Sequence, residues 1–453
     1  MANHERILLN LGVSPVKNYT GGVAADDLPD EMIHRIQSFM DARCAARTTV
    51  LFKSWRLAWL TRPDLDFRDQ DFQSQLIEFR EFALNTLQRY EDSELRIYSF
   101  RLDMETIRDH QLAKELIIKA LKLGATNLTL QIRRWDLDSL FNLPDEVLDS
   151  ETLTGLSAHE CLIDLQYGKK EVSWSNLKTL SLSHVVTYGD LFLDLILKCP
   201  SLEEITLDST RSVWFLGEPR RLTPSCDSMI QLHKLKSLQL HHLDSRDNIY
   251  RHDLWPKFPW LKELLVWGYN SDYDWNGLTI CSRSLEIITL HTYANKITNG
   301  KFDVPNIRKF KVVGDHLPQL DEFKTSSKRE WESDIQIPYD NSITLSWFSS
   351  LSKLLRILSP SRISLSLCMG YSSVTQLYFY FGDGLPIPAV ENLTIWGYPL
   401  MSVFLDTLFF CCDPKMVIVD ARFMGEVDLA ATFQQVSENL LAQSRNPPQF
   451  QVI

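Results

Sequence analysis

No C-x-x-C pair occurs among the eight cysteines, so their spacing defines no zinc site. They are scattered through apolar contexts, which predicts buried free thiols in a reducing compartment. Positive charge is also short. The net charge is -11, and a nucleic-acid partner would demand a basic face to neutralise phosphates. The pairs Arg133-Arg134 and Arg220-Arg221 read as solvated surface. No apolar run approaches the ~18–20 residues that a membrane-crossing helix needs. The short run Ile7–Leu9 follows charged residues and ends at Asn10, so no signal-peptide core is expected there. These absences together predict a chain of the cytoplasm or nucleus, with no nucleic-acid or membrane partner.

Catalytic signatures are missing too. There is no P-loop, no G-x-G-x-x-G, no G-x-S-x-G and no H-E-x-x-H. Asp272-Tyr273-Asp274-Trp275-Asn276-Gly277 imitates the start of a calcium loop, but its twelfth position is Arg283 rather than a bidentate Glu. His241-His242 is a weak metal hint, because adjacent residues on a strand face opposite sides. The expectation is a protein that is not an enzyme and has no cofactor or metal.

What is present is a globular composition, 44% hydrophobic and 23% charged. A chain of 453 residues exceeds one ordinary domain unless it grows by stacking repeats. Residues 1–25 read as a polar tail. Order starts at Asp26-Asp27-Leu28-Pro29-Asp30-Glu31, where carboxylates suit the free N–H groups of a helix start. Met32, Ile33, Ile36, Phe39 and Met40 follow at helical spacing. A second helix is expected over about 43–54, then Trp55, Leu57, Trp59 and Leu60, closed by Pro63-Asp64. A cassette of about 40 residues cannot bury a full core alone. Its surplus of apolar residues therefore faces either the downstream domain or a partner.

The ordered set Leu28-Pro29-Asp30-Glu31, Ile36-x-x-Phe39-Met40 and Thr48-Thr49-Val50-Leu51-Phe52-Lys53-Ser54-Trp55-Arg56-x-x-Trp59 resembles a plant F-box. Pro63-Asp64-Leu65-Asp66-Phe67 resembles that family's exit segment. The resemblance implies binding to a Skp-family adaptor, and through it to a cullin. Carried over by position, Leu28 and Pro29 would enter the adaptor groove. Ile33, Ile36, Val50, Leu51 and Trp55 would supply further apolar contact or support. Phe52 and Ser54 depart from the usual Ser and Arg of this motif, and the turn from Asp41 to Ala45 is atypical.

Downstream, Phe72, Leu76, Phe79, Ala83, Leu87 and Tyr90 predict one amphipathic helix over about 72–91. Leu95–Leu102 alternates as a strand does, and Leu112–Leu121 reads as a helix. A pattern L-x-x-L-x-L then recurs. Its copies are Leu177/Leu180/Leu182, Leu202/Ile205/Leu207, Leu235/Leu238/Leu240, Leu261/Leu264/Val266, Leu285/Ile288/Leu290 and Ile307/Phe310/Val312, with a late one at Val390/Leu393/Ile395. All but one of the steps between the first six fall within the ~20–29 residues of a leucine-rich repeat. The wording Cys199-Pro200-Ser201-Leu202-Glu203-Glu204 resembles plant F-box/leucine-rich-repeat proteins, as does the block Leu95–Leu130. Residues 321–389 are less regular, with strands expected at Ile363–Leu367 and Leu377–Phe381. The expected fold class is α/β, a small all-α F-box followed by an irregular leucine-rich-repeat solenoid. Its parts are a flexible tail over 1–25, the F-box over 26–66, and a linker helix and lead-in over 67–120. The repeats follow over 121–425, with a capping helix and tail over 426–453.

Strand alternation assigns the faces. Framework residues point into the stack and those between them point to the open, concave side. That side is mostly small and polar until Leu265 and Trp267, which lie between His241 and His291 with Glu263 at the rim. An aromatic anchor in a polar surround is a common recognition design. His241, Glu263, Leu265, Trp267 and His291 are therefore the expected substrate-binding residues. The insertion 209–231, with Trp214-Phe215-Leu216, is the second candidate, and the acidic total charge favours a substrate with basic surface. With the resemblance, the expectation is the substrate-recognition subunit of an SCF-type ubiquitin ligase, with its protein substrate unidentified. The alternative is a repeat-based binding or scaffold protein not engaged with a ligase.

Overall fold

The computed structural model describes residues 28–40, 42–50, 52–72, 75–105, 109–133, 140–164, 172–188, 196, 199–213, 232–242, 258–268, 275–293, 296–326, 330–340, 344–369, 386–397, 402–420, 429–442 and 445–452. The chain forms two compact units: Met1–Leu202 with Ser212–Leu222, and Glu203–Arg211 with Thr223–Ile453.

The first unit opens with three short helices, α1 (Asp30–Ser38), α2 (Ala42–Thr48) and α3 (Lys53–Thr61). Pro29 starts α1 in an extended conformation, and Asp30 and Glu31 occupy its first turn, where carboxylates meet the positive end of the helix dipole. Ile33, Trp55 and Ala58 form a buried cluster, against which Leu28, Ile36 and Phe52 pack. Then come β1 (Asp64–Arg68), α4 (Leu76–Asp92), β2 (Ser99–Met104), α5 (His110–Lys122) and β3 (Asn127–Ile132). Next are β4 (Phe141–Asn142), α6 (Asp145–Leu148), β5 (Gly155–His159), β6 (Cys161–Asp164), β7 (Thr179–Ser183) and β8 (Val186–Tyr188). β1, β2, β3, β5 and β7 pair in that order, all parallel.

The register explains why the sequence folds this way. Leu65, Phe100, Leu128, Leu156 and Leu180 are successive partners across the sheet, and so are Phe67, Leu102, Leu130, Ala158 and Leu182. Every one of them is buried. A one-residue slip would turn both rows to solvent, so burial fixes the register. Parallel neighbours need crossovers. The first two are the helices α4 and α5, whose apolar stripes Phe79/Ala83/Leu87/Tyr90 and Leu112/Leu116/Ala120 are buried. Asp109 caps α5 by accepting from Leu112 N–H at 2.9 Å. The next crossover carries β4 and the short helix α6, and β4, β6 and β8 form a small parallel sheet of their own.

The second unit repeats this plan with β9 (Glu204–Asp208); after β10 (Arg211–Val213), most of which belongs to the first unit, come β11 (Ser237–His241), β12 (Glu263–Gly268), β13 (Thr279–Cys281) and β14 (Ile287–Thr292). β15 (Gly300–Asp303), β16 (Lys309–Val313), β17 (Leu320–Lys324) and β18 (Glu332–Asp340) follow. The rest is α7 (Leu345–Leu358), β19 (Arg362–Met369), β20 (Ala389–Gly397), α8 (Ser402–Cys411), β21 (Asp413–Asp420), α9 (Leu429–Ala442) and β22 (Gln449–Val452). β9, β11, β12, β14, β16, β18, β19, β20, β21 and β22 make an open parallel sheet in that order. β13, β15 and β17 form a second, short one. Ile205, Leu238, Leu264, Ile288 and Phe310 form one buried row, and the next partner in it is Ser333. Its hydroxyl meets the Ser361 hydroxyl at 2.6 Å, and Ser361 donates to Leu358 O at 2.7 Å. A polar residue thus occupies a core position with its hydrogen bond made. Phe323 stacks on Trp331 at 5.0 Å and packs edge-on against Phe310, thickening the core where the repeats become irregular.

Each unit thus mixes helix and strand around a parallel sheet that does not close, which is consistent with the expected leucine-rich-repeat class. The sheet takes in β1 and β2, in the segment read from sequence as exit and lead-in. α9 is followed by a further paired strand, β22. The expected strand at Leu377–Phe381 and the Trp214–Leu216 insertion lie outside the described residues.

Candidate functional site

Two surfaces carry the sequence-predicted site residues. The first is on the three N-terminal helices. Ile33 is fully buried and Trp55 is 7% exposed, so both support the cassette from inside and neither presents a contact surface. Helical spacing puts them on inner stripes with Ala58, the supporting role that the resemblance also allows them. Leu28 and Ile36 are half-buried against that cluster, whereas Pro29 and Val50 are exposed. Leu51 lies outside the described residues. Phe52, which departs from the motif, packs on the same cluster. The outer face carries apolar side chains that motif matching did not single out as contacts: Phe39 is 75% exposed, and Met32 and Leu57 are 53% exposed. Their helical phase, opposite Ile33, was the available signal.

A joint holds this cassette on the strands that follow. The Arg62 guanidinium lies over the Trp59 ring at 3.6 Å, and the Tyr90 hydroxyl donates to Arg62 O at 2.7 Å. Burial pulls the Arg62 pKa down to about 10, against the opposing pull of Tyr90, Asp66 and Asp64.

The second surface is the outward face of β9, β11, β12, β14 and β16. Asp208, His241, Trp267, His291 and Val313 are successive partners along one row, and Thr206, Gln239, Leu265, Thr289 and Lys311 along the next. Alternation holds along both rows except at Val313, which is buried. Trp267 and Leu265 are half-buried, as are His241 and His291, and Glu263 is exposed. Parallel partners sit one strand spacing apart, ~4.8 Å, which is the distance at which flat rings stack. The Trp267 indole accordingly stacks on His291, with centroids 4.6 Å apart and planes at 21°, and lies 5.7 Å from His241. Glu263 stands at the start of β12, two positions before Leu265 on the same face.

Two members of this cluster were not expected. His242 leaves β11 with φ +48°, so the chain turns and the ring comes back to lie 5.3 Å from Trp267. Strand alternation had sent it to the opposite side. Its Nδ1 meets Asp208 Oδ1 at 3.0 Å. Tyr293, just past β14, is 6.2 Å from both Trp267 and His291. Position directly after a strand end was the signal that would have found both. The left-handed turn recurs after other strands, at Glu160, His184 and Ser209.

Burial lowers the pKa of His241, with His242 acting the same way and Asp208 opposing. It also lowers that of His291, helped by Lys311 and His241. Both imidazoles are thus biased toward the neutral form. Among the described residues Trp267 Nε1 and His291 Nδ1 are shielded from solvent and make no hydrogen bond. No group of three or more His, Cys, Asp or Glu there could hold a metal. Seven cysteines are described, all free. Burial pushes the Cys161 thiol up to about 12, so that thiol is not a nucleophile. No described helix is long and apolar enough to cross a membrane.

A helical cassette leading into a parallel array of leucine-rich strands, with one ring-bearing open face, defines a leucine-rich-repeat protein with a helical head. The model for the leucine-rich repeats of FBD-associated F-box protein At5g56370 matches residues 114–216. F-box/LRR-repeat protein At3g58900 of Arabidopsis thaliana is 32% identical over 194 residues, 41% of this chain and 58% of the relative. Putative F-box/LRR-repeat protein At5g02930 from the same plant is 28% identical over 209 residues, 46% of this chain and 42% of the relative. Putative F-box protein At3g58860 is 32% identical over 190 residues, 40% of each. The chain spans about half the length of the curated relatives it matches. Over these residues it is similar to plant F-box and F-box/leucine-rich-repeat proteins.

Proposed function

We propose that this chain is the substrate-recognition subunit of an SCF-type ubiquitin ligase, non-catalytic itself and working in the cytoplasm or nucleus. Residues 26–66 serve as the F-box. They take a Skp-family adaptor, and through it a cullin, while the repeats take a protein substrate at His241, Glu263, Leu265, Trp267 and His291. The observation that carries this reading is the set of exposed apolar side chains on and beside α1 to α3. Met32, Phe39, Val50 and Leu57 are all exposed around a cassette whose own core is already filled by Ile33, Trp55 and Ala58. Exposed apolar side chains on a cassette this small suit a protein–protein contact. Pro29 stands at the exposed start of α1, and Leu28 packs on the buried cluster beside it.

The test is co-purification of a Skp-family adaptor with the intact chain and with the double variant Leu28→Ala/Pro29→Ala. The wild type retains the adaptor and the double variant loses it, while unfolding of the repeats is unchanged. Truncating an interface anchor costs ~2 kcal/mol or more of binding free energy. Equal recovery of adaptor by both proteins sinks the assignment. A wild type that binds no adaptor leaves the repeat-based scaffold reading in its place.

A further inference from the structure

Successive repeats of the second unit enter their strands through two-residue turns at one edge of the sheet. The turns before β11, β12, β14 and β16 are His233-Lys234, Pro259-Trp260, Arg283-Ser284 and Pro305-Asn306. Leu235 N–H donates to Leu232 O at 3.3 Å across the first, and Leu261 N–H to Phe258 O at 3.2 Å across the second. Ile307 N–H donates to Val304 O at 3.2 Å across the last. These flanking residues are buried, which leaves the turn residues as an outer ridge. Neighbouring repeats are tied there, Lys262 N–H to Lys236 O at 2.8 Å and the Asn306 side chain to Arg283 O at 2.7 Å. The turn demands no apolar residue at its second position, since Lys234, Ser284 and Asn306 fill it elsewhere. Trp260 fills it before β12 and is 62% exposed.

A lone exposed apolar residue needs no explanation, but Trp260 stands among cations. Lys234 and Arg283, in the turns on either side, are exposed and make no ion pair among the described residues. Along the same edge stand Lys236, Lys262 and Arg308, each more than half exposed. Glu203 takes Lys236 at 2.6 Å, while the single carboxylate of Glu286 serves Lys262 at 3.2 Å and Arg308 at 3.1 Å. Five cations thus share two carboxylates, in a chain whose net charge is -11. Glu204, Glu263 and Lys309, one residue further on in their repeats, belong to the open face.

We propose that this ridge docks an acidic, extended segment of a partner protein, with an apolar side chain laid on Trp260 and Asp or Glu on either side of it meeting Lys234 and Arg283. Lys234 and Arg283 lead into strands two spacings apart, ~10 Å, which is about three residues of extended chain. Tryptophan in such a setting is the residue type that most often anchors a protein contact. A cationic segment would be repelled by the flanking turns. A nucleic acid needs an unbroken basic track and several stacking rings, whereas this ridge offers one ring and is interrupted by Glu203 and Glu286. The surface lies outside both residues 26–66 and the open face, so it adds a contact to the receptor reading and does not depend on it.

The probe is a phage-displayed library of random peptides, selected on the immobilised full-length chain after depletion on the variant Lys234→Glu/Trp260→Ser/Arg283→Glu. Enriched peptides are synthesised with a fluorescent label and titrated by anisotropy against the wild type, Trp260→Ala, Lys234→Glu and Arg283→Glu. Lys415→Glu, at an exposed lysine of the same unit, controls for net charge. The expected peptides carry an apolar residue with Asp or Glu on both sides, and their binding weakens as salt is raised. Trp260→Ala weakens it about 10-fold or more. Each charge reversal at Lys234 or Arg283 weakens it about 2- to 10-fold, and Lys415→Glu leaves it unchanged. Enrichment of peptides without acidic residues overturns the proposal, as does no enrichment at all. So do acidic peptides that bind Trp260→Ala as tightly as the wild type. A labelled single-stranded oligonucleotide that binds the ridge more tightly than the peptides would replace the protein partner by a nucleic acid. A dimer of the chain alone, seen by sedimentation and dissociated by these variants, would replace it by a second copy. Either result overturns the proposal. Urea midpoints check folding; if Trp260→Ala shifts its midpoint, Trp260→Gln and the two reversals decide. Adaptor recovery by the same variants stays at the wild-type level and reports on the receptor reading separately.

Discussion

The first unit and the second each build a parallel sheet of the same kind and dress its outer face differently. On β1 and β2 the outward residues are charged. The Arg68 guanidinium donates to both Asp66 oxygens, at 2.7 Å from Nη2 and 3.1–3.2 Å from Nε. Arg101 approaches Asp66 at 3.9 Å and Asp103 at 4.0 Å. Asp66, Arg68, Arg101 and Asp103 each have an opposite charge beside them, on their own strand or the next. On β11, β12 and β14 the same row position carries rings, which stack instead. Charges pair off, whereas rings stack, and shielded atoms without a hydrogen bond remain on both faces: Arg101 Nε and Asp103 Oδ1 on the first, Trp267 Nε1 and His291 Nδ1 on the second. One backbone register therefore carries a face of paired charges in one unit and a face of stacked rings in the other.

That contrast can be broken at several points. The largest effect is expected from the shared framework. Leu238→Ala should destabilise the second unit by ~2–5 kcal/mol in urea unfolding, since Leu238 is fully buried. Gln239→Ala, one residue on and facing outward, should shift it by under ~0.5 kcal/mol. Equal midpoints for the two would mean that the inner and outer rows have been exchanged. Ser333→Ala should cost ~1 kcal/mol, the net worth of its hydrogen bond with Ser361. A gain in stability would show that the apolar row prefers to run unbroken. Asp66→Asn should cost ~0.2–1 kcal/mol in the first unit, because its partners are partly exposed and screened. That loss should shrink in molar salt, while the Leu238→Ala loss should not.

Acid provides the most selective comparison. The folded pKa values of His241 and His291 lie below the ordinary 6.5, chiefly through burial. As pH falls through 6.5 the unfolded chain takes up these protons first, so the folded state loses stability from there downward and recovers it above. His291→Asn should flatten part of that decline for the second unit. An unchanged slope in a urea-midpoint series against pH would show that the ring is not shielded as described.

Periodicity made the inner rows legible because burial enforces it. Leu238, Leu264 and Ile288 are cross-strand partners at the positions their spacing assigns, and Trp267 falls between His241 and His291 for the same reason. Legibility ended wherever a local turn overrides alternation. His242 shows this directly, since one left-handed residue brings it back to the Trp267 cluster. It also ended where the framework changes residue type. Ser333 sits in register with Phe310, yet no hydrophobic pattern would assign a serine to that row. On the helical cassette, the motif named Ile33 and Trp55 together with Pro29. Spacing separates the buried pair from the exposed Pro29 only once the helix axis is fixed by Ala58.

The left-handed turns after β5, β7, β9 and β11 are occupied by Glu160, His184, Ser209 and His242, none of them glycine. A side chain in that conformation costs ~1–2 kcal/mol relative to its ordinary regions, and glycine would remove the cost. These are therefore sites where stability and recognition compete residue by residue. Glycine at 242 would firm the scaffold and erase a ring from the cluster in one step. Selection for thermal resistance alone would drift such positions toward glycine, so any that persist as His or Glu under that pressure are being retained for what they touch.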